Sequence, residues 1–162
     1  MGYGHNRNRP LLMTNIRDFM AHDHLVCDGV FERAGHQATV GNWDEAAAAF
    51  AHFRALALQH FDAEETVLFP AFEEATGMRM GPTQVMRSEH VQMRQLLDAV
   101  TAALAAHDGE DYAGYAETLL IMMQQHNLKE ENMLYPMCDQ HLSGQASTVL
   151  EHLRERLPGK EV

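Results

Sequence analysis

Apolar residues recur every three or four positions along nearly the whole chain, the spacing of helices that bury one face. Met20, His24, Cys27 and Phe31 share one stripe and predict a first helix from about Thr14 to about Gly35. Gly41-Asn42 marks a turn, and Asp44 is placed to cap a second helix from about Glu45 to Ala75. Its stripe is Ala46, Phe50, Phe53, Ala57, His60, Glu64 and Val67. Pro70 falls inside that pattern and is expected to kink the helix or end its regular part, because proline lacks an N–H and its ring crowds the carbonyl four residues back. Gly77 and Gly81-Pro82 break the chain again before a third helix, from about Thr83 to His107, striped by Met86, His90, Met93, Leu97, Val100 and Leu104. Asp108-Gly109 leads into a fourth, from about Asp111 to Asp139, striped by Tyr115, Leu119, Met122, His126, Glu130 and Met133. Beyond Ser143-Gly144 a shorter helix is predicted over Ala146 to Leu157.

Strand signals are nearly absent, so the fold class is all-α. Four long helices joined by short loops are expected to be antiparallel neighbours, an up-down-up-down four-helix bundle with a short C-terminal helix. At 162 residues the chain suits one domain. The bundle spans 14–140, a flexible N-terminal arm precedes it over 1–13, and the C-terminal helix and tail occupy 141–162.

The stripes also carry residues that do not belong in an apolar core. His24, His60, His90 and His126 each fall on the buried face of a different helix, and Glu64 and Glu130 lie one turn beyond two of them, on the same surface. The set is a repeat at an offset of 66 positions: His24, His60, Glu64 and Glu65 return as His90, His126, Glu130 and Glu131. Asp23-His24 returns as Glu89-His90, and the segment HFDAEETVLFP (60–70) returns without a gap as HNLKEENMLYP (126–136). A single histidine on an apolar face is ordinarily a core residue whose ring nitrogens are satisfied by backbone or water. That reading must hold four times here and must also explain two buried carboxylates, each costing several kcal/mol without compensation (about that order). Metal cations relieve both, and two half-sites of this kind point to a binuclear centre.

The remaining histidines (His5, His22, His36, His52, His107, His141 and His152) have no partner in the repeat and are expected to be solvated. Glu65 and Glu131 recur one step past the ligand face, where a hydrogen bond to a ligand imidazole is the expectation rather than direct ligation. Cys27, though on the first stripe, reads as a buried apolar residue.

Charge narrows the partners. Twelve Lys and Arg against 23 Asp and Glu give a formal net charge of −11, which disfavours nucleic acid and anionic membrane surfaces. Two cysteines are too few for a disulfide framework or a thiolate metal site, and the easy compartment is a reducing cytoplasm. No apolar run approaches a membrane span, and MGYGHNRNRP does not read as a secretory signal. Met1-Gly2 is discounted as a myristoylation site because Asn6 stands where Ser or Thr is wanted.

Asp23-His24, His60…Glu64-Glu65…Leu68-Phe69-Pro70, Glu89-His90 and His126…Glu130-Glu131…Leu134-Tyr135-Pro136 together resemble the hemerythrin-like family of HHE cation-binding domains, over roughly residues 14 to 140. The resemblance implies a non-haem di-iron centre, oxo- or hydroxo-bridged, in which Glu64 and Glu130 each bridge the two irons. It assigns His24 and His60 to one iron and His90 and His126 to the other. The oxygen-carrying members place a further histidine one turn after the third-helix ligand, where this chain has Arg94, which cannot ligate. Reversible oxygen storage is therefore not the expectation. Asp28, the repeat mate of Arg94, is either an extra ligand or a partner for Arg94, and the pairing is favoured. The ferritin-like arrangement, with four carboxylates and Glu-x-x-His spacing, does not match.

The leading functional expectation is a di-iron protein that binds or reacts with a small diatomic or peroxide ligand: oxygen, nitric oxide or hydrogen peroxide. The alternative is an iron- or redox-responsive interaction module without turnover, using the C-terminal helix or N-terminal tail against a partner. A structural zinc or manganese bundle ranks third, since structural zinc favours closed sites rich in cysteine.

Overall fold

The computed structural model describes residues 13–158, and all regular structure among them is helical. Helix α1 spans Ile16–Thr39 and α2 spans Trp43–Ala63; a π-helical turn, Glu64–Leu68, joins α2 to α3, Phe69–Thr76. Helix α4 is Pro82–Ala105 and α5 is Gly109–Lys129; a second π turn, Glu130–Leu134, leads into α6, Tyr135–His141, and α7 is Ala146–Arg156. The arm expected over residues 1–13 lies, Met13 apart, outside the described residues, as do His5 and the end of the tail. No helix among the described residues is long and apolar enough to cross a membrane.

Local chemistry sets the helix ends. Asn15 caps α1 by accepting a hydrogen bond from the Asp18 amide at 2.7 Å, and Asp139 accepts from the Ile16 and Arg17 amides at 2.8 and 3.1 Å. Gly35 does not end α1. The helix runs on to the turn at Gly41, whose φ of 79° suits a residue without a side chain. The residue preceding α2 is Asn42 rather than Asp44, which instead lies in the first turn, where a negative charge meets the positive end of the helix dipole.

The two π turns are the main departure from the expected geometry. Each begins at a repeated glutamate and ends two residues before a repeated proline, Pro70 or Pro136. The Phe69 amide bonds back to the Glu64 carbonyl and the Tyr135 amide to that of Glu130, five residues rather than four. The widened turn absorbs the proline that a continuous α-helix resists. It also advances the inward face by one residue. Leu134 and Tyr135 are buried where Met133 was expected, and Met133 is 61% exposed. Val67 is only partly buried, while Leu68 and Phe69 are buried. On α5 the expected Tyr115 is exposed and Met122 only half-buried; Tyr112, Ala116 and Met123 take those places.

Two hydrophobic clusters flank a polar layer. One gathers Cys27 to Ala38 of α1, Ala46 to Phe61 of α2, Met93 to Leu104 of α4 and Tyr112 to Met123 of α5. The other gathers Ile16, Phe19 and Met20, the residues around both π turns, Met86, and the buried face of α7. Val149, Leu150, Leu153 and Leu157 are all buried there, so the apolar side of α7 is used within the domain. Along the four long helices the order in which the chain meets the two clusters alternates, with the histidines between them each time.

Candidate metal centre

His24 on α1, His60 near the end of α2, His90 on α4 and His126 near the end of α5 converge on the first residues of the two π turns, Glu64 and Glu130. None of the six side chains belongs to a residue more than 5% exposed. The imidazoles fall into two pairs. His24 and His60 bring their Nε2 atoms to 3.1 Å, and the His90 and His126 rings lie 5.0 Å apart between centroids. The carboxylates lie across both pairs. Glu64 Oε1 is 3.5 Å from His60 Nε2 and 3.2 Å from His90 Nε2; Glu130 Oε1 is 3.2 Å from both His24 Nε2 and His126 Nε2.

Two groups of potential ligand atoms result, each with its members within 4.8 Å of one another: Glu64, His90, His126 and Glu130, and His24, His60 and Glu130. The fit to a cation shows in the unsatisfied atoms. Glu64 Oε1, His90 Nε2, His126 Nε2 and Glu130 Oε2 are buried without a hydrogen-bond partner among the described residues. A buried polar atom left that way costs about 1–3 kcal/mol, so four in one cluster of residues call for a positive charge.

The imidazoles are aimed by carboxylates that the spacing argument left without a role. His60 donates from Nδ1 to Asp23 Oδ2 at 2.6 Å, and His126 donates from Nδ1 to Glu89 Oε1 at 2.9 Å. Holding the proton on Nδ1 leaves the Nε2 lone pair directed inward. The acid of each acid–His pair thus serves the imidazole of the following helix, 37 residues on, while its neighbouring histidine enters the cluster. Glu65 and Glu131 stand further off, at 3.7 Å from His90 Nδ1 and 3.6 Å from His24 Nδ1, beyond hydrogen-bond distance.

The expected Asp28–Arg94 pair does not form. Arg94 makes a bidentate pair with Glu65 at 3.1 and 2.5 Å and lies over the Phe61 ring, while Asp28 is exposed beside a surface cleft with His24, Gln124 and Glu131. Glu65 occupies the ring of positions just outside the ligand face, and the planar guanidinium reaches it without burying an unpaired charge. Lys129 pairs with Glu89 in a similar way.

Charge within the cluster is strongly displaced. Burial alone would lower the pKa of His24, but the carboxylates of Glu130 and Glu131 outweigh it and raise it to about 10. His90 is likewise lowered by burial and raised by Glu64 and Glu65, to about 9. Burial and then the facing Glu130 charge push Glu64 up. Glu65, against burial, is held at about 2 by His90 and Arg94.

One residue at the centre carried no role in the sequence reading. Tyr135, fully buried, donates to Glu64 Oε2 at 2.8 Å and lies 3.1 Å from Glu130 Oε1, 3.2 Å from His60 Nε2 and 3.3 Å from His24 Nε2. Its burial and the surrounding carboxylates push its pKa well up. The available signal was the repeat itself, which sets Tyr135 against Phe69. Beside the His24–His60 pair is a cavity of about 30 Å³ whose walls include Cys27, Phe53, Met93 and Met123. A water needs about 10–15 Å³ by this measure, so the space suits one or two small molecules. Of the other described histidines, His36, His52, His107, His141 and His152 are exposed and His22 is half-buried; none joins either ligand group.

A helical domain that buries four imidazoles and two shared carboxylates in this way belongs to the class of metal-binding proteins. Residues 15–138 match the hemerythrin HHE cation binding domain, and the chain belongs to that family. No curated protein and no solved structure matches it.

Proposed function

We propose that the chain is a non-haem di-iron protein, folded as an antiparallel up-down-up-down bundle, that binds or reacts with oxygen, nitric oxide or peroxide. His24 and His60 would hold one iron and His90 and His126 the other, with Glu64 and Glu130 shared between them. The alternating order of the two hydrophobic clusters along successive helices supports the topology. The observation that carries the metal reading is the doubled carboxylate: Glu64 and Glu130 each place one oxygen within 3.2–3.5 Å of an imidazole from either pair. Mixed imidazole and carboxylate donors without thiolate suit iron better than a closed zinc site.

Such a pair of irons supplies open coordination positions and redox equivalents to a small ligand. The protein contributes the rest. Asp23 and Glu89 fix the tautomer and aim of His60 and His126. Phe53, Met93 and Met123 keep the adjoining cavity largely apolar, which admits a diatomic and discourages bulk water.

Metal analysis of the purified protein and its Glu130→Ala variant tests the reading. Two irons per chain are expected in the native protein, and loss of most of both in the variant, because one shared bridge serves both positions. Near-full metal in Glu130→Ala would refute the ligand set.

A further inference from the structure

We propose that Tyr135 is a seventh protein ligand, its phenolate oxygen coordinating the cation held by His24 and His60; the inference rests on the metal reading above. Coordination replaces the phenol proton by the cation, and the proton leaves to water.

The argument begins with the shape of the cage. His24 Nε2, His60 Nε2 and Tyr135 Oη form a triangle with sides of 3.1, 3.2 and 3.3 Å. Glu130 Oε1 lies 3.2 Å from the first of these atoms and 3.1 Å from the phenol oxygen. Donor atoms about 2.0–2.2 Å from one cation stand about 2.8–3.1 Å apart at neighbouring octahedral positions and about 3.3–3.6 Å apart at tetrahedral ones. The phenol oxygen therefore keeps the same spacing from the three neighbouring donors as they would keep around a shared ion.

Hydrogen bonding supplies fewer protons here than there are lone pairs to receive them. A phenol has one hydrogen, which the shortest contact, to Glu64 Oε2 at 2.8 Å, consumes. His60 gives its Nδ1 proton to Asp23, so in the neutral ring its Nε2 presents a lone pair to the same oxygen. Glu130 Oε1 presents another. Lone pairs from Tyr135, His60 and Glu130 thus face one another in a fully buried space, where the one proton His24 Nε2 can offer serves a single one of them and a metal cation would meet all three.

The feature is specific to one half of the repeat. At the equivalent position Phe69 stacks on His90 with 5.8 Å between ring centroids and offers no oxygen. Tyr112 and Tyr115 lie on α5 three turns or more before His126, which leaves Tyr135 as the tyrosine at the centre among the described residues.

The test is optical. The protein loaded with ferric iron is expected to show a phenolate-to-iron charge-transfer band in the visible, absent from Tyr135→Phe at equal iron content. Resonance Raman excited in that band is expected to give tyrosine ring modes that shift when the native protein is grown on ring-deuterated tyrosine, a measurement that needs no variant. A native protein with two ferric ions and no such band, or a band that survives in Tyr135→Phe, would overturn the assignment and leave Tyr135 as a hydrogen-bond donor to Glu64. Failure to hold iron at all would overturn the metal reading, and this one with it; iron content measured beside each spectrum separates the two failures.

Discussion

Asp23 and Glu89 occupy equivalent positions in the repeat, yet their surroundings differ enough for their amide variants to be unequal. Asp23 is 2% exposed and bonds His60 at 2.6 Å; Glu89 bonds His126 at 2.9 Å, has a side chain 17% exposed, and shares its charge with Lys129. A hydrogen bond to a charged partner contributes about 1.5–3 kcal/mol and a neutral one about 0.5–1.5. Asp23→Asn keeps an acceptor for the His60 N–H but loses the charge, a deficit of about 1–1.5 kcal/mol, or roughly tenfold in affinity. That falls at the low end of the ~10–100-fold lost when a carboxylate supporting a metal-bound imidazole is removed. Glu89→Gln gives up a charge already half neutralised and partly solvated, and about 0.5 kcal/mol, two- to threefold, is expected. Competition for iron against a chromogenic chelator measures both. Equal losses, a larger loss in Glu89→Gln, or native affinity in Asp23→Asn would refute the idea that these carboxylates act through the imidazoles they touch.

Stripping the metal from the native protein is expected to lower its melting temperature by about 10 °C or more, since four buried atoms at about 1–3 kcal/mol each lose their counter-charge; calorimetry of both forms checks this, and a difference of only a few degrees would count against a buried ligand set. The Glu65–Arg94 pair is expected to contribute about 0.5–1 kcal/mol at neutral pH, modest because the two side chains are 22% and 36% exposed. The Glu65 pKa falls from 4.5 to about 2 in the folded protein, so its contribution is present above pH 4.5 and fades as the pH falls toward 2. Denaturant titrations of native protein and Arg94→Gln across that range should converge at the acid end, and parallel curves would sink the assignment.

The four imidazoles and two glutamates were legible because they sit on helical stripes, where a polar residue is conspicuous, and because the repeat doubled the signal. What failed did so for physical reasons. Met133 was placed inside by a continuous 3.6-residue period, but the π turn adds one residue before it and rotates the face away. Tyr115, four residues before Leu119, and Ala116, three before, fit the stripe equally; periodicity does not decide between neighbours on the same side of a helix. Repeat symmetry alone points to an Asp28–Arg94 pair, whereas the guanidinium meets Glu65 in the π turn that follows α2. The acid–His pairs were visible, but the acid's partner lies on the next helix, and only packing reveals that contact.

The repeat therefore makes a symmetric cage from unequal halves. Helix geometry and the twin π turns place equivalent imidazole and carboxylate atoms in equivalent positions, which is why the distances from Glu64 and Glu130 to their imidazoles nearly match. The residues just outside do not obey the symmetry. Where the His90–His126 half has Arg94 on Glu65 and Lys129 on Glu89, the other half has Asp28 and Ala63 at the same repeat positions. Where one half presents the apolar ring of Phe69, the other presents the hydroxyl of Tyr135. Arg94 and Lys129 are 36% and 42% exposed, so solvent screens them, but they neutralise carboxylates in one half, and the equivalent positions in the other hold no cation. These exchanges set different charge around the two halves while leaving the cage intact: the fold sets where the imidazoles and carboxylates stand, and on the proposed di-iron reading the surrounding substitutions are expected to set how strongly each half attracts a cation.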